Sequence, residues 1–144
     1  MDEATADRLV RHWEDGWNGC DVETIMAPFA DDVVFSSPFV SRLTGDPGRI
    51  AIDGYEALHA YVAGALQRAG AVRYTADAVY RGADTMVLVY RCHMPDGTDK
   101  PGADTMRLGT DGKVVEWRSH YASEPAEISA SVHGGETAWP APRQ

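Results

Sequence analysis

At residue 72 the hydrophobic rhythm of this chain changes. From Val72 onward apolar residues alternate with polar ones, the period of a strand with one buried face. Four such runs, 72–80, 85–94, about 103–108 and 114–122, are joined by short turns at Gly82-Ala83-Asp84, Asp96-Gly97 and Asp111-Gly112. Consecutive strands with tight turns form an antiparallel meander. Such a sheet has one apolar face that must be covered, and the segment before residue 72 is helical in period.

That segment predicts three helices and a strand. Over 7–20, Leu9, Val10, Trp13, Trp17 and Cys20 recur at spacings of three and four and make one apolar face, although Gly16 and Gly19 weaken the helix. Asp21 is placed to cap a second helix whose stripe is Val22, Ile25, Met26 and Phe29, with Pro28 ending or bending it. The Val- and Phe-rich run 32–37 reads as a strand with Phe35 and Ser37 on one face, closed by Pro38. A long loop, 39–52, carries the turn Gly45-Asp46-Pro47-Gly48 and is long enough to be a lid. Asp53 and Glu56 have capping-box spacing for a helix with Leu58, Tyr61, Val62, Ala65, Leu66 and Ala69 on one face and Gly70 as its stop.

The order helix, helix, strand, loop, helix, four strands predicts an α+β fold. A curved, mostly antiparallel sheet wraps around the N-terminal helices and encloses a conical space with one deep pocket. Residues 1–122 form a single domain. Beyond Ser123 the pattern dissolves, so 123–144 reads as a C-terminal tail, which Val132 or Trp139 could pin to a groove.

A net charge of -9 over 144 residues repels phosphate backbones and anionic lipid, so neither nucleic acid nor membrane is an expected partner. The N-terminus lacks the basic and apolar regions of a signal peptide, and no apolar run approaches membrane-spanning length, so the simplest location is cytoplasmic. Cys20 and Cys92 fall in apolar patterns and read as small buried hydrophobes. The five histidines lack metal-ligand spacing, so no metal is expected, and there is no nucleophile-elbow motif.

Asp104 is the residue with the most chemistry to offer. It shares a strand face with Met106 and Leu108. Burying even a neutral polar group there costs roughly 2–7 kcal/mol unless it is hydrogen-bonded. Asp104 is therefore either a pocket acid or base of raised pKa, or a carboxylate paired with a buried Arg or His or half exposed at a strand start. Ser37 could donate to a ligand oxygen or satisfy the strand-end backbone. Trp13, Trp17, Phe35, Tyr61, Met106, Trp117 and Tyr121 are candidates to line the interior, as pocket wall or as plain core; Tyr61 and Tyr121 carry hydroxyls that want partners. Arg42 and Arg49 in the loop could meet an anionic ligand or simply be solvated.

Trp17-Asn-Gly-Cys-Asp21, Phe29-Ala-Asp-Asp-Val-Val-Phe35, Asp53-Gly-Tyr-Glu-Ala-Leu58 and Gly112-Lys-Val-Val-Glu-Trp-Arg118 resemble the nuclear transport factor 2-like superfamily, in its SnoaL-like and ketosteroid-isomerase-like bacterial branch. The resemblance covers about residues 7–122. It implies the cone-shaped, cystatin-like roll. The isomerases of that branch use a helix-one tyrosine, a general-base Asp before the proline that ends the first strand, and a protonated Asp on a later strand. These positions fall on Trp13, Ser37 and Asp104, so only the last carboxylate is kept. Indole does not replace a phenol as an acid, and a serine hydroxyl needs its own base to abstract a proton. The resemblance implies a small-molecule-pocket protein, an isomerase, cyclase or dehydratase moving a proton on an apolar ketonic or polycyclic compound without a cofactor. Asp104 and Ser37 are its catalytic candidates. The alternative is a non-catalytic ligand-binding or dimerisation module of the same fold. A homodimer through the outer sheet face, around Val79, Val87 and Val89, is the implied assembly.

Overall fold

The structure is a computed structural model that describes residues 1–122; the expected tail, 123–144, lies outside the described residues. The chain runs α1 (Glu3–Asn18), α2 (Val22–Met26), β1 (Phe29–Ser36), α3 (Val40–Thr44), β2 (Ala51–Asp53), α4 (Tyr55–Ala69), β3 (Arg73–Arg81), β4 (Thr85–His93), β5 (Asp99–Leu108) and β6 (Val114–Tyr121). Six strands form one sheet in the order β2-β1-β6-β5-β4-β3. Every neighbouring pair is antiparallel except β1 and β6, which run parallel because the α4 crossover and the whole meander lie between them. This is the α+β roll that the change of period predicts.

Helix α1 begins earlier than its apolar stripe, because the Asp2 carboxylate accepts the Thr5 N–H at 2.7 Å and caps it. Asp21 caps α2 as expected, accepting from the N–H groups of Glu23 and Thr24. Gly16 lets α2 cross α1 closely; a Cβ there would sit 2.5 Å from the Ile25 side chain. Beyond its buried stripe, α1 guards the free edge of β3. The Asn18 side-chain amide donates to Tyr74 O and accepts from Tyr74 N, both at 2.8 Å, and the Glu14 carboxylate accepts the Ala76 N–H. An edge strand's unpaired backbone groups are thus met by side chains of the covering helix.

Several boundaries differ from expectation. Phe29 starts β1 instead of ending α2, since its backbone pairs with Val114. The loop 39–52 is broken up by α3 and by β2, which pairs with β1. Asp53 forms no capping box: it ends β2 opposite Val34, and Gly54, at φ 91°, is the N-cap. β5 starts at Asp99, through Pro101, because the missing Pro101 N–H faces the side where β6 has already ended. Cys20 is exposed at the α1–α2 turn with φ 52°, and Cys92 is only partly buried; both are free thiols.

Alternate residues of β4, β5 and β6 point inward to a core with Leu9, Ile25, Met26, Leu58 and Val62 from the helices. The bulge at Asp77 shifts the register of β3, so that Val79 stands opposite Leu88 on the inner side, while Ala78 and Tyr80 join Val87 and Val89 on the outer face. The outer apolar strip expected around Val79 therefore centres on Tyr80 instead.

Candidate functional site: a deep cavity with a buried carboxylate

The register of the meander places Asp104 in mid-sheet, opposite Leu88 on β4 and Ser119 on β6. Its side chain points inward and is 1% exposed. Three donors converge on the carboxylate. The indole N–H groups of Trp117 (2.8 Å) and Trp13 (3.2 Å) both donate to Oδ2, and the Tyr90 hydroxyl donates to Oδ1 at 3.1 Å. Trp13 arrives from α1, Trp117 from β6 and Tyr90 from β4. Gly102 lies opposite Tyr90, and any Cβ there would press on its ring, so the glycine is what lets the phenol reach Asp104.

No cation pairs with this carboxylate among the described residues. Burial pushes its pKa up from an ordinary 3.8 to about 6, while the hydrogen bonds from Trp117, Tyr90 and Trp13, and the Ser119 hydroxyl nearby, pull the other way. Neighbouring phenols respond: burial and the nearby Asp104 charge raise the pKa values of Tyr90 and Tyr121, keeping both protonated. The Cys92 thiol, pushed up to about 11 by burial, is not a ready nucleophile.

Above Asp104 opens a cavity of about 1060 Å³. Trp13, Trp17, Phe35, Ser37, Tyr61, Trp117 and Tyr121 all stand on its wall with Asp104. Met106 does not: one pleat further along β5, it is packed in the core between Met86 and Trp117. The wall is largely aromatic, Phe35 lying 4.5 Å from Trp117 and 5.3 Å from Tyr61 between ring centroids, and Phe39 4.5 Å from Tyr121.

Ser37 is buried at the end of β1. Its Oγ accepts the Phe39 N–H at 3.1 Å, so the hydroxyl closes the turn after Pro38, and it stands on the cavity wall with Tyr61. Trp17 stands on the cavity wall, and its indole N–H is buried with no acceptor among the described residues. Such an unmet donor costs roughly 1–3 kcal/mol. Among the described residues no group of three His, Cys, Asp or Glu side chains could hold a metal ion, and no helix is long and apolar enough to cross a membrane.

Tyr90, Tyr74, Ser119 and Trp17 Nε1 carry polar chemistry that the sequence reading did not single out. A signal for the first existed: a hairpin turning at Asp96-Gly97 puts Tyr90 opposite Gly102, beside Asp104.

The SnoaL-like domain family matches residues 10–117. The chain belongs to that family. The SnoaL-like fold is shared with a SnoaL-like protein of unknown function from Burkholderia thailandensis E264, at 28% identity and a TM-score of 0.74, covering 85% of this chain and 98% of that one. A protein with a cystatin-like fold from Methylobium petroleophilum PM1 is 19% identical with a TM-score of 0.68, covering 100% and 97%. The epoxide hydrolase/cyclase-like enzyme SalBIII, with a role in pyran ring formation in the polyether salinomycin, is 18% identical with a TM-score of 0.63, covering 84% and 93%. No curated protein matches the chain. The SnoaL-like assignment accounts for the sheet order and the conical interior, while the fold alone leaves the chemistry to the site.

A carboxyl whose folded pKa lies above its unfolded value binds its proton more tightly in the native state. Stability therefore falls as pH rises from about 4 to about 6, by on the order of 3 kcal/mol, and this contribution is flat above that window. In the Asp104→Asn variant the amide oxygen can accept both indoles while the amide N–H donates to Tyr90. Urea unfolding of wild type and this variant across that pH range should give curves that diverge by about that amount; parallel curves would show that Asp104 titrates normally.

Proposed function

We propose that this SnoaL-like protein is a cofactor-free proton-transfer enzyme acting on an apolar ketonic compound, of the isomerase, cyclase or dehydratase kind. The observation that carries the reading is the buried Asp104 carboxyl, poised at about 6, at the floor of a large aromatic cavity. A general base works best when its pKa lies near the working pH. Asp104 accepts the proton, and the Tyr90 hydroxyl that donates to it relays that proton from the cavity. Trp17 adds its ring to the same wall. Ser37, at the end of β1, and Tyr61, on α4, orient the compound, and the rings exclude water.

A test needs no knowledge of the natural compound. Incubated in D2O with tetralone, a ketone with exchangeable protons next to its carbonyl, the protein should catalyse deuterium uptake measured by mass spectrometry. Asp104→Asn should slow that uptake by about a hundredfold or more while circular dichroism stays native. Equal exchange rates would remove Asp104 from the chemistry.

The second reading is a binding module without catalysis. It is favoured by the occupancy of Asp104: Trp13, Trp117 and Tyr90 already use three of its roughly four lone-pair positions. In that case the variant loses no exchange, because none exists in wild type.

The outer sheet face supports the reading as a homodimer. Val87 and Val89 lie on that face on β4, one strand in from the sheet edge, with Tyr80, 64% exposed, beside them on the edge strand β3. Charged pairs surround the strip, among them Arg91 with Asp77 and Arg118 with Glu116, both at 2.8 Å. An apolar centre with a polar rim is how protein interfaces are built. Sedimentation should give a dimer at micromolar concentration, and Tyr80→Glu should shift it to monomer; a monomeric wild type would contradict the pairing.

A further inference from the structure

The polarity of the cavity is graded. Its floor is the Asp104 cluster, its middle is aromatic, and its mouth is cationic: Arg42, Arg68 and Lys100 all stand on the wall there and are exposed. In a chain with a net charge of -9, that concentration of positive side chains is against the average. Among the described residues two acids, Asp99 and Asp104, share the wall. Asp99 is engaged elsewhere, accepting from His93 at 2.8 Å and pairing with Arg91 at 3.7 Å. Asp104 is enclosed by its own donors.

Arg42 and Arg68 are in no ion pair among the described residues. The Arg42 guanidinium lies over the Phe39 ring, 4.6 Å from its centroid, which holds the group in place while leaving its N–H edges free. Arg68 extends along α4 past Gly64, where a Cβ would be 3.6 Å from its terminal nitrogen. Both guanidinium groups are near enough to Tyr61 to favour its phenolate against the opposing effect of burial. Two guanidinium groups and a phenol, brought to one wall from α3 and α4, supply donors that no anion among the described residues receives. A second hollow of about 360 Å³, between α4 and the α3–β2 segment, shares Leu43, Tyr61 and Arg68 with the cavity, so Tyr61 and Arg68 are also reached from that side.

We propose that the cavity selects an amphipathic acid, whose apolar body lies among the aromatic rings and whose carboxylate is bound at the mouth by Arg42 and Arg68. The inference rests on reading the cavity as a small-molecule site and adds the charge of the molecule it selects. Guanidinium forks match carboxylate oxygens two at a time. A carboxylate at the mouth also fixes how deep the body reaches, and so which of its atoms meets Tyr90 and Asp104.

Calorimetric titration of the full chain with a tetralone carboxylate and with its methyl ester tests this. The acid should bind at least tenfold more tightly than the ester at low salt, and added salt should weaken the acid alone. In the Arg42→Gln/Arg68→Gln double variant the two compounds should bind alike, with the ester's affinity unchanged from wild type. Asp104→Asn should keep the preference for the acid, so this outcome is independent of whether Asp104 moves a proton. An ester as tight as the acid, a preference that survives the double variant, or binding of neither compound would overturn the inference.

Discussion

One buried carboxylate, with no counter-ion among the described residues, organises this molecule. Asp104 draws an indole from α1, an indole from β6 and a phenol from β4 onto two oxygen atoms. An unpaired charge in an apolar interior is tolerated only if donors surround it, and those donors must come from several elements at once. The same three rings are the deepest part of the cavity wall. The interaction that fastens helix to sheet is therefore also the one that places a titratable group at the end of a pocket. Because no cation neutralises it, desolvation dominates and the carboxyl is held about two units above its ordinary value.

The rest of the architecture keeps that cluster in position and the space in front of it open. Asn18 and Glu14 tie α1 to the backbone of β3, fixing the helix that carries Trp13 and Trp17. Gly16 allows α2 to lie against α1, and Gly102 leaves room for the Tyr90 ring. The curved sheet and α4 then enclose a volume that the core side chains do not fill. From floor to mouth the wall passes from a proton-accepting group, through aromatic rings, to guanidinium groups. That sequence of environments suits one elongated ligand with a reactive end and a charged end.

The fold was largely readable because period and turn chemistry are local. The switch at Val72, the Asp-Gly turns and the Asp21 cap each state a structure within a few residues, and they agree with one another. What failed was where a distant partner decides. Phe29 joins β1 because Val114 lies beside it, Asp53 is drawn into β2 by Val34, and the bulge at Asp77 moves Val79 off the outer face. Cys20 obeys the helical spacing but follows the last helical residue and sits in a left-handed turn, so its place in the stripe does not bury it. Within the site, Asp104 and the aromatic residues stood out as chemistry on an apolar pattern. Tyr90 and Ser119 did not, since they matter only through the cross-strand register that puts them next to Asp104. Met106 shows the converse: it shares Asp104's face but lies one pleat away, beyond the cavity. Arg42 was open between an anionic ligand and solvent, and nothing in the sequence singled out Arg68, which α4 brings to the same opening.

The whole account depends on the protonation of a single side chain. Carbon-13 NMR of the aspartate carboxyl carbons, with the Asp104 resonance assigned by its loss in Asp104→Asn, follows that proton directly as pH is varied. The account predicts a midpoint near 6 for this carboxyl, well above the surface aspartates. A midpoint at or below 4 would mean that the ring of donors outweighs desolvation, leaving a permanently charged anchor and no proton acceptor.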